Sequence, residues 1–470
     1  MGAEATRPAA APSILAALRG GSDTIAAIAT APGRGALAIV RMSGEAADAI
    51  ASRLIAEWPT PARVASLVAV RDPATGGTLD RALVTRFEAG RSFTGEPMVE
   101  ISTHGGPVTS ALVLGALISA GARQAEAGEF TRRAVANGTL TLTQGEAIGD
   151  VIDATSRAAQ RVALDTLDGG LARRVLALRD ALLEVEALIA YDIDFPEEDD
   201  GPIAPERITA AAARVAEMLD ALLATAPMGE LVREGAVVVL AGPPNAGKSS
   251  LFNALLGQAR ALVTPIPGTT RDAIEAVVDG RSWPIRLVDT AGLRDTMDPL
   301  ERLGIEVSER WLARAQLVLA CAERYDEVAE TRRRIAAVSG APIVEVLTKS
   351  DVAGQGDATL PAGAAAIAVS AETGQGLAAL LERIDADIGG ALGTPAFDAP
   401  VVTRARHLAA LRMARSELRD FAAAWAARDL PAPVIAVHLR AAVTALEELI
   451  GVVETDDVLD RVFRSFCVGK

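Results

Sequence analysis

The sequence predicts an α/β domain with a doubly wound sheet, inserted into an all-α helical domain that follows an α+β N-terminal domain. Three observations predict this architecture. Strand-like and helical stretches alternate from Gly235 to about Ile388, which is typical of a parallel sheet wound on both faces. Helical periodicity lies on both sides of that region, so one helical domain interrupted by another is the simplest interpretation. Before it, short β-type runs mix with helical stretches.

The N-terminal domain is marked by three β-type runs. DTIAAIAT (23–30) and ALAIVRMSG (36–44) flank a glycine-rich turn, and MVEISTHGG (98–106) is a further strand that ends at glycines. From these patterns we expect a flexible tail at 1–22, the N-terminal domain at 23–140, the helical domain at 141–230 and 391–470, and the inserted domain at 231–390.

The helical domain is predicted to begin near residue 141. Thr143 and Glu146 have the spacing of a capping box, which favours a helix start there. Apolar residues then recur at helical spacing and predict the buried face of one long amphipathic helix. These residues are Leu171, Val175, Leu178, Leu182, Val185 and Leu188.

Composition excludes several classes of protein. The net charge of −15 and the 3% aromatic content argue against an extended nucleic-acid groove, which needs clustered cations and stacking surfaces. A nucleic-acid contact would therefore be local or shared with another protein. No apolar run reaches the roughly 18 residues of a spanning helix, and residues 1–22 lack the pattern of a secretory signal. The two cysteines form no disulfide framework, so we expect no membrane association and a cytoplasmic location.

The segment GAVVVLAGPPNAGKSSLFNALLG (235–257) predicts a phosphate-binding loop between a buried strand and a helix. Its backbone N–H groups and the helix N-terminus would cradle phosphates. Lys248, one of only three lysines among 46 basic residues, would lie between the β- and γ-phosphates. The hydroxyl of Ser249 can bind Mg²⁺. PGTTRD (267–272) and LVDTAG (287–292) follow in order, and together the motifs indicate a nucleoside triphosphatase.

The base is predicted from the TKSD segment (348–351), which ends a strand-like run. The Asp351 carboxylate can accept two hydrogen bonds from guanine, whereas adenine offers an acceptor and no matching second donor. The stem of Lys349 can lie over the base, and SAE (370–372) fits the loop that closes the other side. The motifs therefore predict GTP. Thr348 stands where GTPases usually carry asparagine, which affects the bracing contacts of this loop.

The predicted GTP site comprises Asn245, Ala246, Gly247, Lys248, Ser249, Ser250, Thr264, Pro265, Ile266, Pro267, Gly268, Thr269, Thr270, Asp289, Thr290, Ala291, Gly292, Thr348, Lys349, Ser350, Asp351, Ser370, Ala371 and Glu372. Leu293 stands where Ras-like proteins carry the glutamine that orients water, so another group must do this work.

These motifs make the chain similar to the MnmE (TrmE) family of tRNA-modification GTPases over nearly its full length. The resemblance rests on DTIAAIAT, GEFT, IDFPEE, GPPNAGKSSLFNAL, IPGTTRD, DTAGLR and the terminal FCVGK. It implies an N-terminal domain that binds a tetrahydrofolate and forms a homodimer. It also implies a heterotetramer with an FAD-dependent partner, MnmG (GidA), that contacts tRNA mostly through the complex. Together they would install a carboxymethylaminomethyl or aminomethyl group at C5 of wobble uridine 34, with folate as the one-carbon source.

The resemblance also assigns roles to individual residues. It implies K⁺ at Asn245, Thr264, Ile266 and Thr269, and Mg²⁺ at Ser249 and Thr270. It implies catalytic roles for Lys248, Glu301 and Cys467, and folate binding at Arg41, Glu100, Thr139 and Lys470. Relatives often carry lysine at the position of Thr139, and Pro265 and Pro267 are further departures from the family pattern. By residue chemistry alone, Arg41 with Glu100 could equally be a surface ion pair, Glu301 a surface charge and Cys467 a core residue.

Two other functions remain open at the level of sequence. One is a regulatory or ribosome-assembly GTPase that binds RNA or protein without further chemistry. Such proteins usually append a basic RNA-binding module, whereas this C-terminal region is an acidic helical segment. The other is a folate-binding, aminomethyltransferase-like protein with an incidental GTPase, which leaves the assembly of domains unexplained.

Overall fold

The computed structural model describes residues 23–194, 203–258, 274–280, 283–289, 310–352, 365–392, 400–451, 466 and 469. The chain divides into two compact units. One is Met1–Gly149 with Leu446–Lys470, and the other is Asp150–Ala445. The domain limits at 140, 230 and 390 stay predictions. Within the described ranges, no helix is long and apolar enough to cross a membrane.

The N-terminal part of the chain contains a mixed α+β fold, as the sequence predicts. Its elements are β1 Ile25–Ile28, β2 Leu37–Ser43, α1 Ala47–Leu54, β3 Ser66–Arg71, β4 Thr78–Phe87, β5 Met98–His104, α2 Pro107–Ser119, β6 Arg123–Gln124, α3 Glu129–Ala136 and α4 Leu142–Asp153. The three β-type runs of the sequence are confirmed as β1, β2 and β5.

These strands form a sheet in the order β3-β4-β5-β2-β1-β6, antiparallel except for the β1–β6 pair. Since side chains alternate along a strand, each strand presents one face to the core. Val40, Met42 and Ile101 lie in the core with residues of α1 and α2. Arg41 and Glu100, which are directly opposite each other in the β2–β5 register, lie on the other face.

The second unit contains the doubly wound domain and a helical layer. Its elements are α5 Arg157–Leu167, α6 Gly170–Asp194, α7 Pro205–Leu223, α8 Ala226–Glu234, β7 Ala236–Ala241, α9 Lys248–Gln258, β8 Ile274–Asp279, β9 Pro284–Asp289, β10 Leu317–Ala322, α10 Tyr325–Ala336, β11 Ile343–Leu347, β12 Ile367–Ala368, α11 Leu377–Leu392, α12 Ala405–Ala427 and, continuing into the first unit, α13 Ala432–Ile450.

The sheet of this unit has the order β12-β11-β10-β7-β9-β8, and only the edge pair β8–β9 is antiparallel. Helices α9 and α11 pack on one face through residues such as Leu255 and Leu380. Helix α10 contributes Ile335 and Val328 to clusters that also contain strand residues. Strands β7 and β10 are buried along their full length. A central strand that is covered on both faces needs apolar residues at every position, and the sequence AVVVLA of β7 has this pattern.

The helical layer is built from both sides of the inserted domain. Arg415 of α12 donates to Asp220 of α7 at 2.7 Å, and the Val402 N–H donates to the Thr225 hydroxyl at 3.1 Å. These contacts join residues before and after the α/β domain, so the predicted insertion is confirmed.

Two local predictions need correction. The capping box at the start of α4 is formed by Thr141 and Gln144, not by Thr143 and Glu146: the Gln144 N–H donates to the Thr141 hydroxyl at 3.3 Å, and the Thr141 N–H donates back to Gln144 Oε1 at 3.0 Å. Thr143 and Glu146 are buried instead.

The second correction concerns α6. Its buried face follows the prediction from Leu171 to Val185 but then continues at Ile189, while Leu188 is only partly buried.

Candidate functional site

The loop after β7 has the backbone conformation of a phosphate-binding loop. Asn245 and Gly247 have positive φ angles of 61° and 72°. A Cβ at Gly242 would lie 2.0 Å from the carbonyl oxygen of Cys321, so only glycine fits at the exit from the strand. The loop then enters α9 at Lys248, which leaves the first N–H groups of the helix facing the loop.

Lys248 and Ser249 point into this loop from the first turn of α9. Lys248 is 6% exposed, and its Nζ donates to the carbonyl oxygens of Gly242 at 3.1 Å and Pro243 at 2.7 Å. The Ser249 hydroxyl donates to Oδ2 of the buried Asp289 at 2.5 Å. A hydroxyl beside a carboxylate is a hard oxygen donor set of the kind that Mg²⁺ prefers, so these residues fit that ion.

The two segments that are predicted to contact the base, 348–351 and 370–372, come together beside the loop. They line a cavity of about 530 Å³ whose walls are Gly247, Ser250, Leu251, Asn253, Ala254, Thr348, Lys349, Asp351, Val352, Val369, Ala371 and Glu372. The Ser350 N–H donates to Val369 O at 3.1 Å, and the Val369 N–H donates to Leu347 O at 2.8 Å. These bonds place the TKSD loop beside the SAE segment, so the carboxylate of Asp351 and the loop that closes over a base share one pocket.

Thr348 supplies a bracing contact despite replacing asparagine. Its hydroxyl oxygen lies 2.8 Å from Ala246 O in the phosphate loop and 3.1 Å from Ala322 O at the end of β10. A single hydroxyl proton can serve one of these acceptors at a time. Lys349 has a φ of 55° and forms an ion pair with Glu323, which fixes the direction of its side chain.

A second group of predicted residues lies on the face of the N-terminal sheet opposite the cluster of Val40, Met42 and Ile101. Arg41 donates from Nε at 2.9 Å and from Nη2 at 2.7 Å to the same oxygen of Glu100. Both side chains are about one-fifth exposed, at 21% and 23%. The guanidinium carbon lies 5.5 Å from the centroid of Phe93 and 5.7 Å from that of Phe130. The structure thus brings together Arg41 and Glu100 and adds two aromatic rings that sequence reasoning missed.

Thr139, which is also predicted to bind folate, and Gly469 lie in the same unit as Arg41. Thr139 is exposed, and its hydroxyl oxygen is 3.0 Å from Phe93 O and 2.8 Å from Ala134 O. Gly469 has a φ of 95°, and a Cβ there would lie 2.5 Å from the carbonyl oxygen of Ile28. Since Ala27 is opposite Arg41 in the β1–β2 register, Gly469 lies against the strand that borders Arg41.

An ion cluster with a buried centre, Arg133 and Glu129, lies in the same unit. Arg133 is 5% exposed and donates to Glu129 at 3.0 Å and to Asp23 at 2.9 Å. Arg123 donates to Glu129 at 2.6 Å and to Asp23 at 2.6 Å. The hydrogen bond from Arg123 lowers the pKa of Asp23. Burial raises the pKa of Glu129, but hydrogen bonds from Arg123, from the Glu126 N–H and from Arg133 outweigh it, so that pKa is lowered as well. The only sequence signal was the Glu129–Arg133 spacing of four residues.

Several predicted site residues lie outside the described residues. They are Thr264, Pro265, Ile266, Pro267, Gly268, Thr269, Thr270, Thr290, Ala291, Gly292, Glu301, Cys467 and Lys470. Within the described ranges, no group of three or more histidine, cysteine or acidic side chains is arranged to hold a metal ion.

A doubly wound sheet that carries a phosphate loop at its central strand, beside a pocket that presents Asp351, defines a P-loop GTPase. The regions on either side of the GTPase domain show which family of P-loop GTPases this chain belongs to. The family model for the GTP-binding protein TrmE N-terminus matches residues 24–139, and the model for the MnmE helical domain matches residues 142–467. The chain belongs to the MnmE (TrmE) family of tRNA modification GTPases.

Individual relatives extend over the whole chain. The tRNA modification GTPase MnmE of Azoarcus sp. (strain BH72) is 41% identical over 95% of this chain and 98% of its own length. The protein of the same name from Methylobacterium sp. (strain 4-46) is 44% identical over 96% of this chain and 100% of its own length. Among solved structures, the G domain of the T. maritima FeoB iron transporter matches 33% of this chain and 98% of its own at 25% identity, with a TM-score of 0.24. A TM-score this low supports no conclusion about the fold.

Proposed function

We propose that this chain is a K⁺-activated GTPase of the cytoplasm that acts with an FAD-dependent partner of the MnmG (GidA) type. Together they install a carboxymethylaminomethyl or aminomethyl group at C5 of wobble uridine 34 in tRNA, with a folate as the one-carbon donor. One observation carries the proposal: a GTP-type pocket and the Arg41–Glu100 pair occur in one chain whose relatives are named tRNA modification GTPases.

GTP binding is assigned to the loop after β7 and to the pocket of Asp351. Lys248, held inside the loop, would contact the phosphates, and Ser249 with Thr270 would hold Mg²⁺. Asn245, exposed on the rim of the loop, would contribute to a K⁺ site with Thr264, Ile266 and Thr269. Bound cations of this kind stabilise the negative charge that develops on the transferred phosphoryl group. Glu301 would orient the attacking water in place of the glutamine that Leu293 replaces.

The folate site is assigned to Arg41, Glu100, Thr139 and Lys470, of which Arg41, Glu100 and Lys470 would contact the ligand. The Arg41–Glu100 bond occupies only one oxygen of the carboxylate. The other oxygen can accept from the N–H groups of a pterin ring. Gly469 against β1 is consistent with a terminal Lys470 at the same site, and Cys467 would lie near the bound folate.

The N-terminal sheet also supports the proposed homodimer. Its open face carries three exposed leucines: Leu37 is 60%, Leu67 is 59% and Leu83 is 42% exposed. Leu67 and Leu83 are directly opposite each other on β3 and β4. An apolar face of this kind is typical of a surface that a second copy covers. The net charge of −15 favours tRNA binding mainly through the basic surface of a heterotetramer.

The first experiment is GTP turnover by the full-length protein in KCl and in NaCl at equal ionic strength. We expect strong stimulation by K⁺, lost in Asn245→Ala and in Glu301→Ala. Glu206→Ala is the control, because Glu206 is an exposed residue in the first turn of α7. Equal rates in the two salts would exclude K⁺ activation while leaving the folate and tRNA assignments to their own test.

That second test is mass spectrometry of tRNA nucleosides after incubation with GTP, a tetrahydrofolate donor and the flavoprotein. The modified uridine should appear only when both proteins are present. A wild-type reaction that leaves uridine 34 unchanged would exclude the proposed tRNA modification, and the regulatory GTPase would become the better interpretation.

A further inference from the structure

Two phenylalanine rings flank the guanidinium of Arg41. Phe130 is fully buried and Phe93 is half-buried, and the Arg41 Cζ lies 5.7 Å and 5.5 Å from their ring centroids. A cation within about 6 Å of a ring face is attracted by the ring quadrupole. The rings therefore restrict the guanidinium on the sides that Glu100 does not. We call Phe93 and Phe130 the aromatic bracket.

The two rings belong to different segments of the chain. Phe130 lies on α3, and Phe93 lies in the loop between β4 and β5. Thr94, the residue after Phe93, holds this loop in place through two contacts. Asn137 Nδ2 donates to Thr94 O at 2.8 Å, and the Thr94 hydroxyl is 2.7 Å from that of Ser43. The spacing of the two rings thus depends on contacts between this loop and the end of α3.

Thr139 lies between those two segments. Its hydroxyl oxygen is 3.0 Å from the carbonyl oxygen of Phe93 itself and 2.8 Å from that of Ala134, which lies one turn after Phe130 on α3. One hydroxyl therefore contacts the backbone of both segments that carry the aromatic bracket. Threonine is shorter than lysine and carries no charge, so Thr139 cannot make the ionic contact with a ligand that a lysine at this position could make.

We propose that Thr139 is a positioning residue of the folate site: it sets the spacing of Phe93 and Phe130 around Arg41 instead of contacting the ligand. This inference rests on the proposed folate function. In this proposal the aromatic bracket orients Arg41 for folate binding. Thr139 affects folate binding indirectly, through the position of Phe93.

The test is the dissociation constant of tetrahydrofolate, measured by anaerobic calorimetry on the full-length protein. Thr139→Ser keeps the hydroxyl and should bind within about twofold of wild type, whereas Thr139→Val should bind about threefold more weakly, because one hydrogen bond is lost. Phe93→Leu, which keeps apolar volume but removes the ring, should weaken binding about tenfold. The double variant should be no weaker than Phe93→Leu, since the two changes act through one element.

Thr209→Val is the matched control, because the Thr209 hydroxyl donates at 3.0 Å to Pro205 O on the exposed surface of α7. Additive losses in the double variant, or equal binding by Thr139→Ser and Thr139→Val, would overturn the positioning role. Unchanged binding by Phe93→Leu would do the same while leaving folate binding intact. If the wild-type protein binds no tetrahydrofolate, the proposed function itself fails, and this inference fails with it.

Discussion

The hydroxyl of Thr348 lies 2.8 Å from the carbonyl oxygen of Ala246, so the loop that faces the base is joined to the loop that cradles the phosphates. Asparagine is the usual residue at this position in GTPases, and threonine preserves the contact with a shorter side chain. Nucleotide affinity should therefore depend on this hydroxyl through its contact with the phosphate loop.

Thr348→Val should weaken GTP and GDP binding by about three- to tenfold, because one buried hydrogen bond is lost and Ala246 O loses its donor. Thr348→Asn should keep affinity close to wild type. Thr444→Val is the control, since the Thr444 hydroxyl makes the same kind of bond to Arg440 O at 2.9 Å on an exposed helix. Titration of a fluorescent GTP analogue measures all four proteins, and equal affinity of Thr348→Val and wild type would contradict the bracing role.

Gly469→Ala should displace the C-terminal segment from β1. A Cβ at Gly469 would clash with Ile28 O at 2.5 Å, and the φ of 95° is itself unfavourable for alanine. Tetrahydrofolate binding should fall with the loss of the terminal contact. Gly115→Ala is the matched control, because a Cβ there meets nothing within 4 Å and a helical alanine is favourable. Limited proteolysis followed by mass spectrometry reads the release of the terminus, and equal protection of both variants would count against the docked tail.

The buried ion cluster around Arg133 should make stability depend on acid pH. The pKa values of Asp23 and Glu129 are lowered in the folded state from ordinary values of 3.8 and 4.5. The unfolded chain therefore binds more protons at acid pH, so the stabilisation is complete above about pH 5 and is lost as pH falls through the lowered values. Thermal unfolding at several pH values should show a plateau at neutral pH and a decline below it.

The cation of the cluster can be tested separately. Arg133→Met should destabilise the protein by about 1.5–3 kcal/mol at pH 7, because it removes charge-assisted hydrogen bonds to Glu129 and Asp23, which then keep only Arg123 as a cationic partner. Arg415→Met removes an exposed pair with Asp220 and should cost at most about 1 kcal/mol. Similar free energies of unfolding for the two variants would show that the cluster is better solvated than its burial indicates.

Cys321 should be chemically inert in the folded protein. Burial raises the pKa of its thiol to about 12, an effect that the nearby Lys248 only partly opposes. The reactive thiolate is therefore scarce at physiological pH. Iodoacetamide should leave Cys321 unmodified between pH 7 and 9 and should label it once the chain is denatured, as peptide mass spectrometry can show. Labelling of the native protein that increases across this pH range would contradict the buried position.

Much of the fold was predictable because long segments carry strong periodicity. The buried run AVVVLA and the face of α6 from Leu171 to Val185 follow directly from apolar spacing. The start of α4 was not predictable, since Thr141 with Gln144 and Thr143 with Glu146 match the same capping pattern. Tertiary packing decided between them by burying the second pair.

The candidate site also contains residues that the local sequence predicts and contacts that only the fold shows. Lys248, Asp289 and Asp351 belong to short motifs whose spacing suits a nucleotide, so they could be selected as candidates from the local sequence. The contacts of Phe93 and Phe130 with Arg41 join residues far apart in the chain, and phenylalanines in the sequence indicate only apolar burial. Thr139 was assigned by resemblance alone, whereas the position of its hydroxyl between Phe93 O and Ala134 O depends on the folded loop.

The bond between Thr225 and Val402 closes a loop of 177 residues, and Asp220 meets Arg415 across 195. During synthesis, α7 therefore leaves the ribosome long before its packing partner α12. At roughly 5–20 residues per second, the interval is about 10–40 s. The α/β domain, whose strands lie within that interval, can fold first, while α7 packs on α6 and only its contact with α12 is still missing. The helical layer is thus the last part of this unit to be completed. If synthesis stopped between α7 and α12, the nucleotide domain could be folded while the contacts between these two helices were still absent.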